Sequence, residues 1–305
     1  MDYGFNVAAL PAYTDQLSNE IIAKAVLNTD LLSYLDLRTG YTSGTVSINL
    51  LDANLPVSAL SCGWPDNTVE NEITYTQIPV TIESLQSKTQ LCPEDLRAVY
   101  QSAFMSAGTG NDFIPFEEVI SESYAKKLTK YNEGFLINGF GATLGIKGQI
   151  TAANGANVPV TPLAWTVSNA IDQALDIYDQ IAESVKDRDD LIMVVSPANY
   201  RTLTRALVAA NLNTVSNLTS VVEGNQIMIL PGTNCKIVMS SGLVGSDYVF
   251  AGPGKMILAA TGLQDELDNF VFFYDQGQDM MKFRAAWRLG VGVGEVNLFA
   301  TNDLA

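Results

Sequence analysis

The chain has 305 residues, 33 acidic against 17 basic, no histidine, and a formal net charge of −16. Without histidine the usual general base, the usual imidazole metal ligand and every histidine-dependent triad are gone, and a duplex phosphate backbone is repelled on average rather than gripped. With 47% hydrophobic and 16% charged residues the sequence is apolar for a soluble protein, which favours burial of surface against copies of itself.

Residues 1 to about 13 mix Gly, Pro and aromatics without period and read as an extended arm. They carry no basic residue ahead of an apolar stretch, unlike a signal peptide, so folding in the cytoplasm is expected. From Asn19 onward Ile21, Ile22, Ala25, Val26 and Leu27 fit a helical stripe, which Leu31, Leu32, Leu35 and Leu37 continue up to a stop at Gly40. Val46, Ile48 and Leu50 then alternate with polar residues, as do Ile73 and Tyr75 and, later, Ile78, Val80 and Ile82, giving two strands. Between them lies LDANLPVSALSCGWPDNTVENE, an irregular piece of a length that is more often functional or ordered by a partner than idle.

Leu96, Val99, Tyr100, Ala103 and Phe104 sit at helical spacing behind Pro93. From Pro115, the residues Phe116, Ile120, Tyr124, Leu128, Tyr131 and Phe135 recur every three or four positions, which predicts one long amphipathic helix ending near Asn138–Gly139. Glu117 and Glu118 fall in its first turn and Lys126, Lys127 and Lys130 nearer its end, in the sense that suits the helix dipole. Further helices are expected from Ser168 to about Val185 and from Pro197 to about Leu212, with a buried strand at Leu191–Val195 between them. Short strands follow at Ile227–Leu230, Lys236–Ser240, Tyr248–Ala251 and Met256–Ala260, separated by the turn signals PGTN and GPGK. Near the end, Phe283, Trp287, Leu289, Val291 and Val293 keep one alternating face and then the apolar set slips to Val296 and Leu298, which predicts a β-bulge near Gly294–Glu295. The fold class is α+β.

Few motifs carry chemistry. Gly290, Gly292 and Gly294 match a dinucleotide loop only superficially, since no helix and second strand follow them, and Gly252-Pro253-Gly254-Lys255 lacks the spacing of a phosphate loop. The acids Asp187, Asp189 and Asp190, and Asp265, Glu266, Asp268, Asp275 and Asp279, do not match a calcium loop and read as solvated charge. Cys62, Cys92 and Cys235 are too few for a four-cysteine zinc site and form no CxxC pair. Reduced thiols are the default, with a bond between Cys62 and Cys92 left open because both flank one hairpin-like segment. No catalytic, cofactor or metal site is assigned, and an enzyme is not expected.

The order of segments resembles the Hong Kong 97-type fold of tailed-phage major capsid proteins. IPFEEVISESYAKKLTKYNEGFLINGFGATLGIKGQI is similar to that family's spine helix and its exit at an asparagine-glycine step, here Asn138–Gly139. DLIMVVSPANYRTLTRAL resembles its axial strand, turn and helix; KFRAAWRLGVGVGEVNLFA resembles its closing strand; and CGWPDNTVENEITYTQIPVTIESLQSKTQLCPEDL resembles the return strand of its extended loop. The resemblance implies an N-terminal arm and helix over 1–40, an extended two-stranded loop over 41–91, and a peripheral domain over 92–165 holding a spine helix at 115–138. It further implies an axial domain over 166–250 and C-terminal strands over 251–305.

By the same resemblance the chain is a virion shell subunit, assembled in the host cytoplasm through pentamers and hexamers into an icosahedral cage around double-stranded DNA, without sequence-specific binding and without a membrane. An encapsulin-like compartment holding enzyme cargo is the alternative. A portal at one vertex and decoration proteins are implied partners. A separate scaffolding protein is another, because no segment of domain size precedes the arm. The family's cross-linking lysine has no counterpart, since no Lys or Arg occurs between Thr39 and Ser87, so a non-covalent lattice is expected. The expected inter-subunit contact sets the loop anchors Leu55, Trp64 and Pro65, with the acids Asp52, Asp66, Glu70 and Glu72, across a neighbour's Lys126, Lys127 and Lys130.

Overall fold

The computed structural model describes residues 31–41, 44–53, 73–92, 116–141, 143–159, 161–210, 219–222, 225–262, 270–275, 277–278 and 280–304. The arm, the helix expected from Asn19 as far as residue 30, the helix expected behind Pro93 and the irregular piece over 54–72 lie outside the described residues. In chain order the first strands are β1 (Asp36–Thr39), β2 (Gly44–Ala53) and β3 (Ile73–Leu91). The long helix α1 (Phe116–Asn138) follows, then a small hairpin of β4 (Gly139–Phe140) and β5 (Thr143–Leu144), and a single turn, α2 (Ile146–Gln149). Next come α3 (Ala170–Asp179), β6 (Leu191–Val195), α4 (Pro197–Ala209), β7 (Thr219–Val222), β8 (Asn225–Ile229) and β9 (Lys236–Met239). The chain closes with β10 (Phe250–Pro253), β11 (Ile257–Thr261), β12 (Phe270–Asp275), β13 (Met280–Val293) and β14 (Ala300–Thr301).

One sheet runs β1-β11-β13-β3-β2, with β12 beside β13. The expected helix does not reach Leu37: Leu31, Leu32 and Leu35 are buried, but in a short 3-10 turn, after which β1 pairs in parallel with β11. A long-range ladder outweighs the local helical spacing here. β2 and β3 form the expected hairpin, in register from Gly44↔Ile82 to Ala53↔Ile73. β3 continues past Ile82 to Leu91 along β13, a half that the alternation does not reveal because the buried side chains change face. Val80 and Ile82 pack with Leu258 and Ala260 on one side of the sheet, whereas Leu85 joins Trp287, Leu289 and Val291 on the other.

The second sheet runs β14-β10-β6-β9-β8-β7. All five residues of β6 are buried, as its unbroken apolar run predicts. Ile192 and Val194 face a core shared with α1 and the first sheet, while Leu191, Met193 and Val195 face α3 and α4. α4 begins where Ser196 accepts a hydrogen bond from the Asn199 amide (3.2 Å) and Pro197 occupies the first turn. α3 stops at Asp179, short of the expected Val185, although Ile181 and Val185 remain buried. The Lys186 ammonium caps its end through Asp179 O (3.2 Å), and Asn234 Nδ2 holds the carbonyls of Lys186 and Arg188 at 3.0 and 2.8 Å.

The predicted bulge is not one. β13 ends at Val293, Gly294 N donates to Met256 O (2.9 Å), and Val296–Leu298 make a 3-10 turn that delivers β14 to β10 in the other sheet. The slip in apolar parity marks a chain changing sheets. Mixed sheets and helices give the expected α+β class.

Candidate inter-subunit surface

α1 places the site. Leu128, Asn132, Phe135 and Leu136 recur at helical spacing and are buried, while Lys126, Lys127, Lys130 and Tyr131 are exposed. No basic residue occupies the last turn. The three lysines are thus mid-helix, where the dipole contributes little, and their expected role as C-terminal counter-charges is corrected.

The helix ends at Asn138 because Gly139, at φ +79°, takes the left-handed conformation, and a side chain there would come within 2.2 Å of Thr143 O. Opposite, the 3-10 turn Ser241–Leu243 seats directly on α1. Ser241 Oγ donates to the Glu133 carboxylate, which is only 7% exposed, and Asn138 Nδ2 donates to Gly242 O at 2.9 Å. A Cβ at Gly242 would lie 2.7 Å from Glu133 O and 2.8 Å from Ile137 Cγ1, so only glycine permits this approach.

Between helix, turn and hairpin runs a groove lined by Lys127, Lys130, Tyr131, Gly134, Phe140 and Gly242, among others. Gly134 has nothing within 4 Å of where a side chain would start, which leaves the groove floor open. Tyr131 is 47% exposed and stands edge-on to Trp287 (6.4 Å between ring centres); Phe140 is 55% exposed. Leu144 on β5 and Val244 just past the turn are also exposed. Apolar rings between lysines suit an apolar, acidic partner segment.

Of the sequence-predicted contact residues, Lys127 and Lys130 come together in this groove, and Lys126 is exposed on the same helix but does not line it. Asp52 lies near the end of β2, opposite Thr74, and Leu55, Trp64, Pro65, Asp66, Glu70 and Glu72 lie outside the described residues. Sequence spacing assigned Tyr131 to the buried stripe and gave no signal for Ser241 and Gly242. Elsewhere the acids are not simply solvated: Asp190 accepts from Arg188 Nε and Nη2, each at 2.8 Å, which lowers its pKa, and Asp275 pairs with Lys282 at 2.6 Å. Among the described residues no acidic, cysteine or histidine cluster is arranged to hold a metal, and no helix is long and apolar enough to cross a membrane. Cys92 is a free thiol, Cys62 lies outside the described residues, and burial pushes the Cys235 thiol up to about 12.

No protein-family model and no curated protein matches the chain. Solved structures do. A chain from Gordonia phage Cozz aligns over 90% of this chain and 85% of its own at TM-score 0.57 and 12% identity. A chain of the satellite phage P4 procapsid including size determination (Sid) protein aligns over 93% and 98% at TM-score 0.54 and 11% identity. The fold is that of phage capsid subunits. A chain of the holo-SrpI encapsulin complex from Synechococcus elongatus shares it at TM-score 0.54 and 10% identity, over 89% of this chain and 85% of that one. In this capsid fold the groove lies on the long helix, beside the asparagine-glycine step that ends it.

Proposed function

We propose that this chain is the major capsid protein of a tailed phage, a structural subunit rather than an enzyme, which assembles through pentamers and hexamers into an icosahedral shell around double-stranded DNA. The observation that carries the reading is a projecting ribbon. At Ile82, β3 changes partner: beyond it β13 pairs along one side, and before it β2, along the other, is the only partner among the described residues. Gly44–Ala53 and Ile73–Ile82 therefore form a two-stranded ribbon, seated on the sheet at its base, where Val80 and Ile82 are buried, and spanning roughly 33 Å for ten residues at about 3.3 Å each. A lone two-stranded ribbon is marginal in water and calls for another body to cover it.

The groove on α1 supplies a fitting surface on the next copy. On this reading the loop beyond the ribbon lies across the neighbour's α1, with Leu55, Trp64 and Pro65 against Tyr131 and Phe140 and with Asp52, Asp66, Glu70 and Glu72 facing Lys126, Lys127 and Lys130. Exposed pairs of this kind set register more than affinity. Heterologous contacts that close into rings, each modest, become effectively irreversible when many form together. The Hong Kong 97-type division follows: arm over 1–40, extended loop over 41–91, peripheral region over 92–165, axial region over 166–250 and returning strands over 251–305.

A separate scaffolding protein, a portal at one vertex and decoration proteins complete the assembly, which forms in the host cytoplasm and ends as the virion. The P4 procapsid structure includes a size determination (Sid) protein. A net charge of −16 leaves the DNA free to pack and leave. The likeness to the SrpI encapsulin chain favours a second reading, a compartment around enzyme cargo. Electron microscopy of particles from infected or expressing cells separates the two: packed DNA and a single portal vertex support the virus, and an enzyme-filled shell lacking both supports the compartment.

A further inference from the structure

The first sheet leaves several stretches of strand edge without a partner among the described residues: the outer edges of β1, β2 and β12, and β3 on either side of Ile82. An open edge is a template for another chain, and proteins guard such edges with charge, proline or brevity. β1 is guarded by brevity, at four residues. β3 carries Pro79 on the stretch before Ile82, and Glu83 and Lys88 on the stretch after it. The remaining two edges are unguarded. β2 holds no Lys, Arg or Pro over ten residues, with Asp52 its only charge. β12 reads FVFFYD, and its one charge, Asp275, is already engaged by Lys282 of β13.

These two edges lie on opposite sides of the same sheet, β2 outside β3 and β12 outside β13. Deepening the shell reading, on which it rests, we propose that β12 of one copy adds to the outer edge of β2 of the next, so that one sheet runs continuously through neighbouring subunits. The six residues of β12 fit within the ten of β2. Pairing β2 with β2 would close a two-fold pair and stop. Pairing β12 with β2 leaves each copy one donor and one acceptor edge, the head-to-tail arrangement from which rings are built.

Two populations test this, both in a Cys62→Ser, Cys92→Ser background; the buried Cys235 is left in place. One carries a single cysteine on β2, scanned through Val46→Cys to Leu50→Cys, and the other carries Val271→Cys or Phe272→Cys on β12. Co-assembled and mildly oxidised, at least one combination yields a mixed dimer on a non-reducing gel, because neighbouring strands bring Cα atoms within the ~4.4–6.8 Å that a disulfide needs. Particles without any mixed dimer, or with β2–β2 dimers instead, overturn the proposal while leaving the shell intact; absence of particles from the parent chain overturns both. Amide hydrogen exchange gives a second readout that needs no substitution. The outward-pointing half of the β2 amides slows at least ~100-fold on assembly, and equal rates in subunit and particle overturn the proposal.

Discussion

The centre of the second sheet covers its own parts, and the ribbon of the first does not. Around β6, α3 and α4 close one face and the core shared with α1 closes the other. Even the short β14 at its edge is held: Asn157 exchanges backbone hydrogen bonds with Phe299 and Thr301, and Asn302 takes the Val249 amide at 2.9 Å and gives to Asp247 O at 2.7 Å. The first sheet instead runs the β2–β3 ribbon past β13 and leaves the outer edges of β2 and β12 without a partner among the described residues. In one region, burial and hydrogen bonding are settled within the subunit. On the proposed reading they are deferred in the other to a neighbour, and that difference is the physical content of a shell protein.

The sharpest way to break this comparison is to cut the deferred region. Deleting residues 53–66 is expected to abolish particles while circular dichroism and the thermal unfolding of the subunit stay as in the parent; persistence of cages, or collapse of the subunit, would erase the distinction. Truncating the self-sufficient region should do the opposite. Phe250→Ala removes a fully buried ring and is expected to cost about 3–5 kcal/mol in denaturant unfolding, with assembly affected only through the loss of folded chain. At the junction, Gly242→Ala forces a methyl against α1, an overpacking of about 1–3 kcal/mol that should also narrow the groove and weaken assembly at equal folded concentration.

The smallest effect is expected at the Arg188–Asp190 pair, where Asp190→Asn should cost about 0.2–1 kcal/mol, because both side chains are partly solvated. Arg188 holds the Asp190 carboxyl below its ordinary value of 3.8. The stabilisation is therefore present above that pH and fades as pH falls through the lowered value, so parent and variant should converge in acid. A variant gap that grows in acid would contradict this.

Much of the architecture was legible where the signal was local. The three-to-four spacing from Phe116 to Phe135 with its Asn138–Gly139 stop, and the five-residue apolar run of β6, each specify an element without reference to the rest of the chain. What failed was non-local. β1 exists because a strand far along the chain offers a ladder, the second half of β3 is hidden by a change of buried face, and the parity slip after Val293 marks a transfer between sheets. The site shows the same divide. The exposed lysines of α1 were readable, but Tyr131 was assigned to the core, because periodicity finds a stripe and not its borders. Ser241 and Gly242 enter only through a turn that tertiary packing carries to the helix.

The central claim is that identical neighbours complete this subunit, and the most direct measurement is the size distribution of the purified parent chain across a concentration series, by analytical ultracentrifugation with electron microscopy of the same samples. The account predicts large, uniform shells in which the β2 amides are protected. A single 305-residue subunit persisting at every concentration, with those amides exchanging freely, would contradict it.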